Sequence, residues 1–231
     1  MKHCVLISPT DSKLIEALKS RGIDVIFTVP QSGLYDNEQY HADMQCLIVD
    51  NNAYIPKVSS EISDGISKYV DQITLCSNPS MKYPDNISLN ALVFGRKIFC
   101  KASALDADVS DYCNERGIEI INVNQGYTKC STLALGDKAI ITADPSVYKA
   151  ATENKIDALR ISSGHILLEG ADYGFIGGAS GVIGDKVYFF GDICKHPDFK
   201  EIADFIELKG FTFECLTDES LHDVGGFVTL Q

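Results

Sequence analysis

Four short stretches of this chain share one plan: an apolar run, a glycine- or Asx-based turn, and a second apolar run. They are "CLIVDNNAYI" (46–55), "ALVFGRKIFC" (91–100), "LALGDKAIIT" (133–142) and "VIGDKVYFFG" (182–191). Glycine, Asp and Asn reach positive φ at low cost, so each stretch reads as a tight β-hairpin. The starts fall 42 to 49 residues apart. A repeat of that period constrains the fold more than any single motif, because each copy has only neighbouring copies against which to bury its apolar faces.

The segments after the hairpins recur as well. Helix-like stretches opened by Asp, Ser or Thr come next: "TDSKLIEALKSRG", "SSEISDGISKYVD", "DADVSDYCNERG", "DPSVYKAATENK" and "HPDFKEIADFIELKG". Three of them close on Gly22, Gly117 and Gly210, the expected left-handed caps. The strands "IDVIFT", "IEIINV" and "FTFECL" come directly after, with "QITLCS" and "DALRIS" as looser copies. The unit is strand, strand, helix, strand, with approximate boundaries 1–45, 46–90, 91–132, 133–181 and 182–231, read as a single domain. The opening strand "HCVLIS" lacks a hairpin partner and the final strand "GGFVTLQ" lacks a successor. Pairing them predicts a closed ring of five units with protected sheet edges.

The glycines of "LLEGADYGFIGGASGVIGDKVYFFGD" (167–192) invite comparison with a phosphate loop. Such a loop must lead into a helix N-terminus, whereas this one leads into the strand "VIGDKVYFF", so it reads as a junction between units. In a fivefold ring the junctions converge on the axis: "YHADMQ" (40–45), "YPDNISLN" (83–90), "VNQGYTKCST" (123–132), "LLEGADYGFIGGAS" (167–180) and "LHDVGG" (221–226). They carry His41, Asp43, Asp85, Asn86, Gln125, Cys130, Glu169, Asp172, His222 and Asp223. Imidazoles, carboxylates and one thiol in one cavity are the ingredients of acid, base and nucleophilic chemistry.

Charge narrows the partners. A net charge of −12 and only four arginines exclude a sequence-independent nucleic-acid binder, which neutralises phosphates with Lys and Arg. The N-terminal apolar run is too short for a signal peptide and no run approaches a membrane span, so a reducing cytoplasm is expected. The eight cysteines show no zinc-type pairing, and Cys194 with His196 in "ICKHPD" supplies only two ligands. No metal or organic cofactor is expected, and most cysteines read as small core residues.

The five-unit plan resembles the pentein fold of arginine deiminases, dimethylarginine hydrolases, agmatine deiminases and amidinotransferases, an α/β five-bladed propeller. "LEGAD" (Glu169, Gly170, Asp172) is similar to the acid-Gly-Gly-acid run that holds a guanidinium in that family, with Ala171 replacing a glycine. "LHD" (221–223) is similar to its Leu-His-acid context. The resemblance implies Cys130, His41, His222 and Asp223 as catalytic groups, and Glu169, Asp172, Asp43, Asn86 and Gln125 as ligand-binding ones. The implied ligand is a small guanidino or amidino cation, with a homodimer as the other partner considered. One departure is large: the family's nucleophilic cysteine stands in the last junction, where this chain has Gly225-Gly226-Phe227 and no cysteine after Cys215. Two functions are therefore open, a thiol-dependent guanidine-processing hydrolase or transferase and a non-catalytic pentein. A ribosome anti-association factor exemplifies the second. Cys130 could equally be a core residue, each histidine a scaffold, and the acids caps for backbone amides.

Overall fold

The computed structural model describes residues 3–9 and 11–230. Its strands form five three-stranded sheets, each with the same order and sense. The first sheet joins β1 (Cys4–Ile7) to β2 (Asp24–Phe27) across α1 (Ser12–Ser20). After the short α2 (Ala42–Gln45) come β3 (Leu47–Val49), β4 (Asn52–Pro56), α3 (Ser63–Ile66) and β5 (Gln72–Cys76). The third unit is β6 (Leu92–Phe94), β7 (Lys97–Cys100), α4 (Ala107–Arg116) and β8 (Glu119–Asn122). The fourth is β9 (Thr132–Leu135), β10 (Ala139–Thr142), α5 (Pro145–Glu153) and β11 (Asp157–Arg160). The fifth is β12 (Ser180–Ile183), β13 (Lys186–Phe189), α6 (Phe199–Leu208) and β14 (Thr212–Cys215). In each sheet the middle strand pairs antiparallel on one side and parallel on the other, the parallel partner arriving through the helix.

The last strand, β15 (Phe227–Leu230), completes the first sheet. It runs antiparallel to β1, with Cys4 opposite Leu230 and Ile7 opposite Phe227. The orphan strands at the two ends of the repeat are thus each other's partners.

The turns take the conformation their residues favour. Gly95 and Gly184 lie at φ 55° and 61°, and Asp50-Asn51 supply the two positive values of their hairpin at 47° and 62°. Asp11 and Asp144 cap α1 and α5, accepting from the Leu14 and Val147 amides at 3.1 and 2.9 Å. The expected helix over "SSEISDGISKYVD" is different. It opens as a 3₁₀ segment, Lys57–Ile62, and becomes α-helical only for α3, a stretch interrupted by Gly65. Glycine raises the cost of regular helix, and nothing there supplies a side-chain cap. Asp198, expected to cap α6, instead turns its carboxylate to the Ser162 hydroxyl and amide.

The middle strands explain why the apolar runs are continuous rather than alternating. Their residues face a neighbouring unit on each side, with burial least complete in β13, where Lys186 and Tyr188 are half-buried. Cys4 and Leu6 pack with Ala53, Ile55 and Ile66 of the second unit, while Val5 and Ile7 pack with Ile183 and Phe190 of the fifth. Ile98 and Cys100 face the second unit and Phe99 the fourth. Ile140 faces the third, whereas Ile141 joins Val187, Phe189 and Ile206. Five apolar clusters therefore lie between consecutive sheets, the fifth and first included. Of the eight cysteines, Cys194 is exposed and Cys215 half-buried, and the other six are buried. Among the described residues no helix is long and apolar enough to cross a membrane.

Leu6, at 0% exposure, carries one of these two-sided contacts. Leu6→Ala should cost about 2–5 kcal/mol in urea unfolding, the range for a buried leucine that leaves a cavity. Leu208→Ala, at a position 74% exposed, should stay within about 0.5 kcal/mol of the parent.

Candidate functional site

The five junctions meet, and hydrogen bonds join them in order. The Asn90 amide donates to the Asp43 carbonyl at 3.4 Å, and its Oδ1 accepts from the amides of Lys129 and Cys130 at 2.9 and 3.3 Å. Gly178 N–H donates to the Cys130 carbonyl, and the Gly178 carbonyl accepts from Val224 and Gly226. Asp43 N–H donates to the Gly225 carbonyl at 3.3 Å, which joins the fifth junction to the first. Asn90 itself is 1% exposed, so its bonds are made without competition from solvent.

Within this weave His41, Cys130 and Asp223 are all buried, and one ligand-type atom from each lies within 4.8 Å of the others. The Asp223 carboxylate accepts from the Phe175 amide at 2.8 Å and the Gly225 amide at 3.0 Å. The Cys130 Sγ lies 3.8 and 3.9 Å from its two oxygens. Close packing here depends on glycine: a methyl group on Gly178 would overlap the Asp223 carboxylate, and one on Gly225 would overlap His41 Cβ. Those glycines serve approach between junctions, with the 167–180 segment running into β12 as a junction should.

Asp43 joins the cluster from the first junction. It is 3% exposed, and among the described residues no N–H or O–H donor reaches either carboxylate oxygen, the neighbouring Cys130 thiol being the group that interacts with it as a hydrogen-bond donor. Burial pushes its carboxyl up to about 6, opposed by His41 and Lys129 and reinforced by Asp223. The Cys130 thiol is driven well above its ordinary value, first by burial and then by Asp223 and Asp43. Glu38, at the edge, is also raised, by burial. The centre is therefore poor in positive charge, with Lys129 the cation that acts on both Asp43 and Cys130.

Two recesses flank the cluster. A cleft of about 110 Å³ is lined by Ser8, Asp36, Tyr40, His41, Glu169, His222 and Asp223. A cavity of about 200 Å³ is lined by β3, β6, β9, β12 and β15, one strand from each sheet, with Asp43 and Lys129 among largely apolar neighbours. The expected residues are thus divided. His41, Cys130, Asp43 and Asp223 converge, and Glu169 and His222 line the cleft beside them. Asp172 is exposed and lines neither recess, so it is not brought to the cluster. Asn86 donates to the Tyr127 hydroxyl at 2.7 Å, and Gln125 donates to Asp144 at 3.0 Å while accepting from the Tyr127 amide. Both hold the third junction in shape. His165 is exposed and meets the His196 ring edge-on at 5.4 Å.

Sequence reasoning missed Asn90, Lys129, Tyr127 and Glu38. The first three stand inside junctions already singled out, and their polarity there was the available signal. Glu38 precedes its junction and is reached only through space, by the Tyr127 hydroxyl at 3.4 Å.

Five three-stranded α/β units of this order match a pentein-like fold. The chain belongs to the Family of unknown function (DUF6873), which it matches over residues 6–228. No curated protein matches it in sequence. Among solved structures it is similar to mutant DDAH from Pseudomonas aeruginosa complexed with citrulline, at TM-score 0.61 and 11% identity over 100% of this chain and 99% of that one. It is also similar to C. jejuni agmatine deiminase with substrate bound, at TM-score 0.56 and 10% identity over 99% and 93% of the two chains. A third is an amidinotransferase of saxitoxin biosynthesis from Microseira wollei, at TM-score 0.55 and 9% identity over 99% and 94%. At such identities the likeness is one of fold.

The cluster yields two expected outcomes. Gly178→Ala should destabilise the chain by about 1–3 kcal/mol, as overpacking does, measured by urea unfolding. Asp43 binds its proton more tightly folded (about 6) than at the ordinary 3.8, so stability present below pH 3.8 is lost as pH rises through 6. Stability should fall by roughly 2–3 kcal/mol across that window. Asp43→Asn should abolish the fall and be more stable than the parent at pH 7.

Proposed function

We propose that the five sheets close as a five-bladed propeller whose centre binds and processes a small guanidino or amidino cation through the thiol of Cys130. One observation carries this reading. Two buried carboxylates, Asp43 and Asp223, converge with a thiol and an imidazole, and no N–H or O–H donor reaches Asp43. A planar cation with several N–H donors would satisfy those oxygens and supply the missing positive charge. The solved structures of similar fold, which include agmatine deiminase with substrate bound and DDAH with citrulline, support the same ligand class.

The cleft beside His41, Glu169 and His222 is the route in, with Glu169 placed to attract the cation before it is buried. Cys130 lines neither recess, so the cationic head passes between His41 and Asp223 to reach Sγ. Its charge lowers the thiol's pKa, so that on ligand binding the Cys130 proton passes to His41 and leaves a thiolate. Sγ then attacks the amidino carbon, and the carbon–nitrogen bond breaks as His41 gives a proton to the departing amine. Water, losing a proton to His41, cleaves the carbon–sulfur bond, leaving a ureido product and the free thiol. An amine in place of water would make the reaction a transfer.

A thermal-shift panel of guanidino and amidino compounds, with ureido and carboxylate compounds as controls, tests the binding step. The cations should raise the melting temperature, since a ligand that binds only the folded state stabilises it. Asp43→Asn should weaken the shift. Cys130→Ser should keep the shift and lose all release of ammonia or amine. Binding with no turnover by the parent protein would leave a non-catalytic binding protein, and no shift with any cation would reject the reading outright.

A further inference from the structure

We infer that His41, Cys130 and Asp223 also form a site for a single thiophilic divalent cation, zinc(II) being the ion they fit. The sequence offered Cys194 and His196 as its nearest metal pair. The fold instead brings together three donors from the first, third and fifth junctions, more than 80 residues apart in the chain.

Geometry comes first. Zinc bonds of about 2.0–2.3 Å in a tetrahedron place neighbouring donors about 3.4–3.8 Å apart. The Cys130 Sγ and Asp223 Oδ1 already stand at 3.8 Å, and all three donor atoms fall within 4.8 Å of one another. Contraction by at most about 1.4 Å would seat the ion. The donor set decides which ion. One sulfur, one imidazole nitrogen and one carboxylate oxygen suit zinc, whereas magnesium and calcium favour oxygen alone.

Asp43 is the independent second observation. No N–H or O–H donor reaches its two buried oxygens, and it interacts with both His41 and the Cys130 thiol. It adds negative charge beside a divalent ion, and water could fill the fourth position. An outer shell is in place too: the amides of Phe175 and Gly225 hold the Asp223 carboxylate by one hydrogen bond to each oxygen. His41 and Asp223 line the cleft, so the ion has an access path from solvent. On binding, the Cys130 S–H bond is replaced by a sulfur–metal bond and the proton leaves to water.

A second group of donors, Cys76, Asp106 and Asp108, shows what is absent elsewhere. There the Asp106 carboxylate already accepts from the Ser77 and Asp108 amides as the cap of α4, and Asp108 is exposed. That cluster is explained without an ion.

Metal occupancy and covalent chemistry at Cys130 exclude each other, and the two readings fail separately. The test uses the full chain, stripped with a chelator and titrated with zinc(II) by calorimetry, then with cobalt(II) by absorption. Expected are one ion per chain, a thiolate-to-cobalt charge-transfer band, and an X-ray absorption shell containing one sulfur. Cys130→Ser and His41→Ala should weaken binding by more than the roughly 10–100-fold that outer-shell changes cost. Cys76→Ser should leave it unchanged. The wild-type absorption shell needs no variant to fold: a shell without sulfur would overturn the site. So would zinc affinity undiminished in Cys130→Ser, or no stoichiometric binding. A guanidino compound that raises the melting temperature of a chain unable to bind zinc would sink this site and leave the amidino reading standing.

Discussion

The pairing of Phe227–Leu230 with Cys4–Ile7 is the constraint on which the centre of this molecule depends. It fixes the segment just before β15 against the first unit, so that Gly225 closes on His41 and Asp43 donates to the Gly225 carbonyl. Without that register Asp223 would not face Cys130, and Val5 and Ile7 would lose their contacts with the fifth unit. The pairing joins the two strands of the chain that are farthest apart in sequence, whereas every other strand pair lies within one unit. Long-range contacts carry a larger chain-entropy cost than local ones, so this one is held by burial on both faces of β1.

Much of this was legible beforehand because periodicity reports burial. The hairpin turns, Gly117 after α4 and the uninterrupted apolar middle strands all derive from local residue choice. The short 3₁₀ start of the second unit's helix was not legible, because "SSEISDGISKYVD" has helical spacing and its loss of regularity is a matter of capping and Gly65. At the centre the same division holds. That His41, Asp43, Cys130 and Asp223 would share a space was expected from the repeat, which makes their junctions equivalent segments of successive units. Which junction residues would point inward did not follow. Asp172 lies only three residues from Glu169 yet faces solvent, and Asn90, not singled out, makes four hydrogen bonds across three junctions.

The polar centre is unusual for what it leaves unpaired. Buried carboxylates are ordinarily matched with donors, and Asp223 is, through two amides. Asp43 is not. Lys129 acts on it only in part, and burial still dominates the outcome. A neutral organic molecule would not remedy that imbalance, whereas a cation of either kind, organic or metallic, would. The thiol obeys the same logic, being held protonated first by burial and then by Asp223 and Asp43.

The five sheets are near copies, but the segments that meet between them are all different. Each junction is short, touches the shared centre, and has little part in the strand registers on either side of it. Apart from the glycines and Asn90 that lock the junctions together, residues there can change one at a time while the scaffold that presents them keeps its shape. The middle strands cannot change so freely, since each answers to two neighbours. In such an architecture what the protein does can drift far more quickly than how it is built, which suits a fold shared at 9–11% identity with a deiminase, an amidinotransferase and DDAH.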